Sequence, residues 1–310
     1  MKRKLVKQGG SALTVSLPAK WIKKYSLKAG DEVDVEEKEK EIIIATEKGL
    51  SEKSRAVADV SNMEEYILKI FITVCHKKGI DEIELRYDSP EVLKTIRNRL
   101  DTLLGYEVVE QGETHCIIKN VSGDMDTEFD SLLRRSFLVN KNMFENISRA
   151  LEKNDFSEAE SILELEKTNN KLTNYCERIL VKKFYKGINS FVTYVIVWNI
   201  ESIADDLRDL VKDIVSRKKK HNFSKEFLHS FRKVEELFGH YYDLFYSFSI
   251  DKLNKLKAEV VKLKEELLGL SAKDPFYPYL ILAASRIYDV MASTMSVNMS
   301  KYVKNESETK

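Results

Sequence analysis

Two periodicities divide the 310-residue chain. Over the first 47 residues apolar positions alternate by twos. Leu13, Val15 and Leu17 predict a half-buried strand, and residues 3–8 read as its partner. Gly9 and Gly10 mark the turn between them, where positive φ is tolerated. Pro18 then opens a short helix, "PAKWIKKYSL", because its missing N–H is an orphan in a first helical turn anyway. "KAGDEVDVEE" turns into a strand, and "EIIIATE" returns beside it. The head therefore reads β-β-α-β-β over residues 1–47. Few apolar side chains are available to close its core, so the pattern predicts dimerisation.

"EKGLSEKSRAVADVSN" reads as a polar linker, with a small α/β unit following over 63–121. Its elements are an amphipathic helix from Met63 to Lys77, a strand "IDEIELRY", and a helix after Ser89 and Pro90. A hairpin around Gly112 completes it. From about residue 129 to 305 the apolar spacing changes to threes and fours, the period of helices. Six are predicted, near 129–153, 156–185, 187–217, 224–250, 251–269 and 276–304. In the third, Val192, Ile196, Ile200, Ile203, Leu207, Leu210 and Ile214 form one continuous stripe, the pattern of bundle core. Placing "ESIADDLRDLV" over "SRIYDVMASTM" sets Ile203 over Ile287 and Asp205 over Asp289, so the six helices read as three repeated. The fold class expected is multidomain: a small β-rich head, a small α/β middle unit and an all-α body.

Charge changes this picture at one end. The net charge is only +1, yet residues 1–28 hold eight Lys/Arg and no acid. Such a head attracts phosphate by counterion release, although a solvated lysine-rich face would have the same composition. Cys75, Cys116 and Cys176 lack metal-ligand or CxxC spacing and read as buried thiols. His76 and His115 stand alone and read as surface or packing residues. The run "FVTYVIVW" is short of a membrane span, no signal-peptide pattern is present, and a soluble, cytoplasmic chain without membrane insertion is expected. No nucleophile–base pair or phosphate loop is found, so no enzyme is expected.

The third helix carries Glu201, Asp205, Asp209 and Asp213 four residues apart. Each step turns ~40° around the helix. Glu201 and Asp205 can therefore face one ion, as inward-pointing carboxylates of bundle metal sites do. The alternative is a solvated acidic face neutralised by Arg208 and Lys212.

"KLVKQGGSALTVSLPAKWIKKYSLKAGDEVDVEE…EIIIAT" resembles the AbrB/MazE/SpoVT family of swapped-hairpin DNA-binding domains. The resemblance implies a homodimer whose interleaved hairpins form one small barrel on double-stranded DNA. Arg3, Lys4 and Lys7, with Ser11 near the turn, are the first candidate contacts; Lys20, Lys23 and Lys24 on the helix are the second. Residues 129–305 resemble PhoU, the phosphate-uptake regulators, which are two repeated three-helix bundles with an E-x-x-x-D metal motif. That resemblance implies a metal ion, iron or zinc, at Glu201 and Asp205, with Asp209, Glu166 and Asp289 as further ligands. Ser285 stands where the second repeat would carry Glu, and Asn169 and Asn170 replace acids. Together the two resemblances, those of an archaeal phosphate-uptake regulator, imply a phosphate-linked transcriptional regulator with a transporter or sensor protein as partner. The alternative is an adaptor that dimerises through its head without binding DNA.

Overall fold

The computed structural model describes residues 2–10, 12–38, 41–45, 54–123, 128–183, 189–217, 221–272 and 274–302. The chain forms two compact units, Met1–Lys53 and Ser54–Lys310.

In the first unit β1 (Val6–Gln8) and β2 (Ala12–Thr14) form an antiparallel hairpin, with Lys7 opposite Leu13. Gly9 holds φ at +71°, a value costly for other residues. Helix α1 (Ala19–Lys24) follows Pro18, and the Trp21 and Ile22 amides close onto the Pro18 carbonyl. A second hairpin pairs β3 (Asp34–Lys38) with β4 (Glu41–Ala45). The expected β-β-α-β-β order is present, with shorter first strands. Among the described residues of this unit none is buried.

The second unit begins with a four-stranded sheet. Its strands are β5 (Arg55–Asp59), β6 (Glu82–Arg86), β7 (Tyr106–Gln111) and β8 (His115–Asn120), in spatial order β5-β6-β8-β7. β5 and β6 are parallel, joined by helix α2 (Glu65–Lys77), and helix α3 (Glu91–Leu100) follows β6. The linker expectation fails at β5. Residues 55–59 look polar because Arg55, Val57 and Asp59 face outward, while only the small Ala56 and Ala58 turn inward. The core comprises Leu68, Ile72, Ile83, Leu85, Ile96 and Ile118 with the buried thiols of Cys75 and Cys116.

Six long helices follow: α4 (Phe129–Lys153), α5 (Ala159–Lys183), α6 (Asn189–Ser216), α7 (Lys225–Tyr246), α8 (Ile250–Leu270) and α9 (Tyr277–Val297). The first five expected helices are found within four residues at their described ends, as is the start of the sixth. The sixth is shorter at its end, because the backbone tightens after Val297 into a 3₁₀ turn at Met299–Lys301. Ser224 and Ser249 accept from the Phe227 and Lys252 amides and start α7 and α8. Helices α4, α5 and α6 pack on one another, as do α7, α8 and α9; α6 also lies along α9 and α4 along α7. The stripe on α6 is core from Ile196 to Leu210. Among the described residues α9 is the one helix long and apolar enough to cross a membrane. Here its Leu280, Ala284, Ile287 and Val290 are buried in the bundle.

Helix α5 is also the bed on which the sheet unit rests. Arg178 of α5 is almost fully buried, donating from Nη1 to the His76 and Ile80 carbonyls at 2.9 and 2.8 Å. Its Nη2 lies 2.6 Å from Asp81 Oδ1, and Lys182 Nζ reaches the same oxygen at 2.6 Å. Gly79 is required here, since a Cβ on it would lie 2.9 Å from the Lys182 Cβ and its φ is +81°.

Candidate nucleic-acid interface and the acidic cluster of the body

The expected basic contacts fall on two elements of the head. Arg3 and Lys4 lead into β1, and Lys7 lies within it, all exposed. Arg3 Nη1 donates to Ser16 Oγ at 2.9 Å, and Thr14 Oγ1 to the Val6 carbonyl at 3.1 Å, bracing the open end of the hairpin. Ser11 lies outside the described residues. On α1, Lys20, Lys23 and Lys24 are three and four positions apart and share one exposed face. Trp21, Ile22 and Tyr25 are half-buried on the other, with the Trp21 and Tyr25 ring centres 5.5 Å apart. No acid stands in the first turn, and Lys23 and Lys24 complement the negative end of the helix. Lys24 also lies 4.9 Å from the centre of the Tyr25 ring. Exposed cations in a segment that carries no acid of its own suit a polyanion, whose phosphates position a protein without specifying sequence.

The acids of the body are placed otherwise. Arg208 of α6 gathers three of them. Its Nη1 donates to Glu166 Oε1 of α5 at 2.8 Å and to Asp205 Oδ1, and its Nε to Asp209 Oδ1 at 2.9 Å. Asn170 Nδ2 donates to Glu166 Oε1 at 2.7 Å. Glu201 stands one turn before Asp205, in the field of Lys77, Glu177, Glu166 and Arg208. The sheet unit adds cations from its own helix ends: Lys77 Nζ is 2.5 Å from Glu177 Oε2, and Arg99 feels Glu201, Glu166 and Asp205. Asp289 is exposed on α9 and does not join the group.

Burial pushes Glu201 up, with Glu177 and Glu166 adding to it against Lys77 and Arg208. Burial and the charge of Glu201 raise Asp205 to about 7, against the pull of Arg208. Asp206, on the α9 side of the helix, is raised to about 6 by burial, opposed by Arg286 at 3.6 Å. Among the described residues no three His, Cys, Asp or Glu side chains are grouped as metal ligands. One oxygen each of Glu166, Asp205 and Asp209 is turned onto the Arg208 guanidinium, a charge-assisted arrangement that offsets the buried acids.

Sequence reading missed the two sets of charges that couple the sheet unit to the helices. Arg178 had a visible signal, a cation amid the buried run Tyr175, Cys176, Ile179 and Leu180. Lys77 and Arg99 had none, because their acids lie on helices far along the chain. His76 is fully buried as packing, its Nε2 3.0 Å from the Leu104 carbonyl; burial lowers it to about 3, so the ring is neutral.

The family of the antidote-toxin recognition protein MazE, a bacterial antitoxin, matches residues 6–51. No curated protein and no solved structure matches the chain. The match covers the head alone, and a MazE/AbrB-type domain suggests a DNA-binding or antitoxin-type regulator.

Proposed function

We propose that the chain is a dimeric, cytoplasmic DNA-binding transcriptional regulator whose helical body receives a signal linked to phosphate status. The observation that carries the DNA reading is the head itself: an exposed lysine face on α1 and an Arg/Lys-bearing hairpin, within a segment that has no acid before Asp31. MazE-type domains typically bind DNA and dimerise, which supports the same reading. In it, the lysines and Arg3 hold operator backbone. The phosphate link, and a transporter or sensor protein as partner, rest on the resemblance of the six helices to PhoU and on their packing as two triplets. In this reading Arg208, Lys77 and Arg99 supply the positive charge that a metal supplies in such bundles.

The family description favours a second reading, an antitoxin-type regulator in which the chain also meets a toxin partner. The adaptor that never binds DNA is a third. Fluorescence anisotropy of the full chain on its own upstream DNA and on scrambled DNA, across a salt series, separates the two DNA-binding readings from the adaptor. A regulator binds its upstream DNA preferentially, with log K falling by about 0.9 per phosphate contact for each unit of log salt. Absence of binding at low salt sinks both DNA readings and leaves the adaptor.

A further inference from the structure

Helix α2 has two faces. Leu68, Ile72, Cys75 and His76 are buried against the sheet and α5. The opposite face is apolar as well: Tyr66, Ile67, Ile70 and Val74 recur at helical spacing and are 71, 48, 42 and 42% exposed. Trp198 of α6, 48% exposed with Lys77 Nζ 5.2 Å from its ring centre, continues the patch past the end of the helix. A contiguous apolar stripe rimmed by charges marks an interaction surface.

From these observations we infer that the stripe is covered by the same stripe of a second copy, in an antiparallel α2–α2′ pair centred near Ile70. The charges on α2 select that arrangement. Glu64 stands exposed at its start and Lys78 exposed just past its end, while Glu65 is already paired with Lys69 one turn on. In an antiparallel pair each acidic end meets the basic end of the partner, whereas a parallel pair sets like charges together. Glu64 and Lys78 flank the stripe on one side, and flanks of one side face each other across a two-fold axis. Chain length keeps each stripe close to its head. Only ten peptide steps separate Ala45, the end of β4, from Arg55, the start of β5. Such a tether spans at most about 36 Å. In a head dimer the α2–α2′ contact is therefore made within one pair of chains rather than between free molecules. The inference rests on the dimeric head proposed above.

The test uses the full chain with Ile70→Cys and a short bismaleimide cross-linker. The three native cysteines are buried, and burial raises Cys75 and Cys116 to about 11, so the parent chain gives the unreacted background. Ile70→Cys should yield a covalent dimer and Val109→Cys, on the far strand β7, should not. Glu64→Lys should lower the yield several-fold, and adding Lys78→Glu should restore it. Sedimentation of the same samples separates the two readings. A dimer that does not cross-link at position 70 overturns the α2 pairing and leaves the head dimer standing. A monomer overturns both. A monomeric Ile70→Cys chain whose introduced thiol resists maleimide places another part of the same chain on the stripe, and equally overturns the pairing.

Discussion

The two units of the chain solve the problem of stability in opposite ways. In the body, rings such as Phe137, Phe144, Phe231 and Phe238 are fully enclosed, and the buried charges are paired inside the chain. In the head Val35 and Ile42, on one face of the β3–β4 hairpin with Ile44, are 63 and 68% exposed. Burying such a side chain contributes about 1.5–3 kcal/mol. Val6 and Leu13, on opposite faces of the β1–β2 hairpin, are 61 and 62% exposed as well. The head thus has its core still to gain from a partner, and its cations are left outward. The body has its core already, and its cations Arg178, Arg208 and Lys77 are turned inward onto its own acids. The body also carries exposed cations, such as Lys94, Lys252 and Lys255. The head, however, concentrates eight Lys/Arg in residues 1–28 with no acid among them, even though the acids and bases of the whole chain nearly cancel.

The most forceful way to break this contrast is to spoil the face that the head leaves open. Val35→Asp with Ile42→Asp should abolish both dimerisation and DNA retention, read by sedimentation and anisotropy. The body's thermal melt should stay within a degree or two of the parent. A body that unfolds along with the head would mean that the two are not independent.

Next in size is the buried joint on the other side of the comparison. Burial pushes the Asp81 carboxyl up, but the bonds from Lys182 and the Ser54 amide, with the charges of Lys182 and Arg178, outweigh it and hold it below the usual range. Asp81→Ala would leave Arg178 buried without its counter-ion, a loss of about 3–5 kcal/mol in denaturant unfolding. Lys182→Ala should cost much less, because Lys182 is itself partly exposed and Arg178 remains. Equal losses for the two would show that the joint is not built around Arg178.

How much of this was legible in the sequence follows the same division. Period-two alternation and the Gly and Pro punctuation located the head's elements, and threes and fours located the six helices, because local spacing sets which face can be buried. β5 escaped because its inward residues are alanines, too small to register as an apolar alternation. The acids at 201, 205 and 209 were visible as a ladder. That Arg208 would bridge Asp205 and Asp209 to Glu166 depends on how α5 lies on α6, which i, i+4 spacing cannot encode. The lysine face of α1 could be read directly, since it needs no tertiary contact to exist.

A smaller effect sharpens the head's side of the comparison. Lys7→Ala should flatten the salt dependence of DNA binding by about 0.9 in log–log slope if Lys7 touches one phosphate. Lys264→Ala, removing a cation of the body that stacks on Tyr288, should leave that slope unchanged. A slope unmoved by Lys7→Ala removes Lys7 from the interface and shifts the weight to the α1 lysines.

The smallest effect concerns the body's acids and runs against the usual behaviour of surface carboxylates. Asp205 and Asp206 are held near 7 and 6, above their unfolded value, burial being the largest cause in each. A raised carboxyl makes the folded state the better proton binder. Its stabilising contribution is therefore complete below the unfolded value near 4, and is lost as pH rises through 6 to 7. His76, lowered by burial, works the other way: its neutral ring costs stability as pH falls below about 6.5. The two trends oppose each other in the parent chain, so a difference between variants is the informative quantity. Asp206→Asn keeps the shape beside Arg286 and removes one titration. Between pH 5 and 8 its melting temperature should fall less steeply with pH than the parent's, by a few degrees across the window. Parallel curves would mean that Asp206 stays ionised beside Arg286 throughout, its charge met inside the body as fully as that of Asp81.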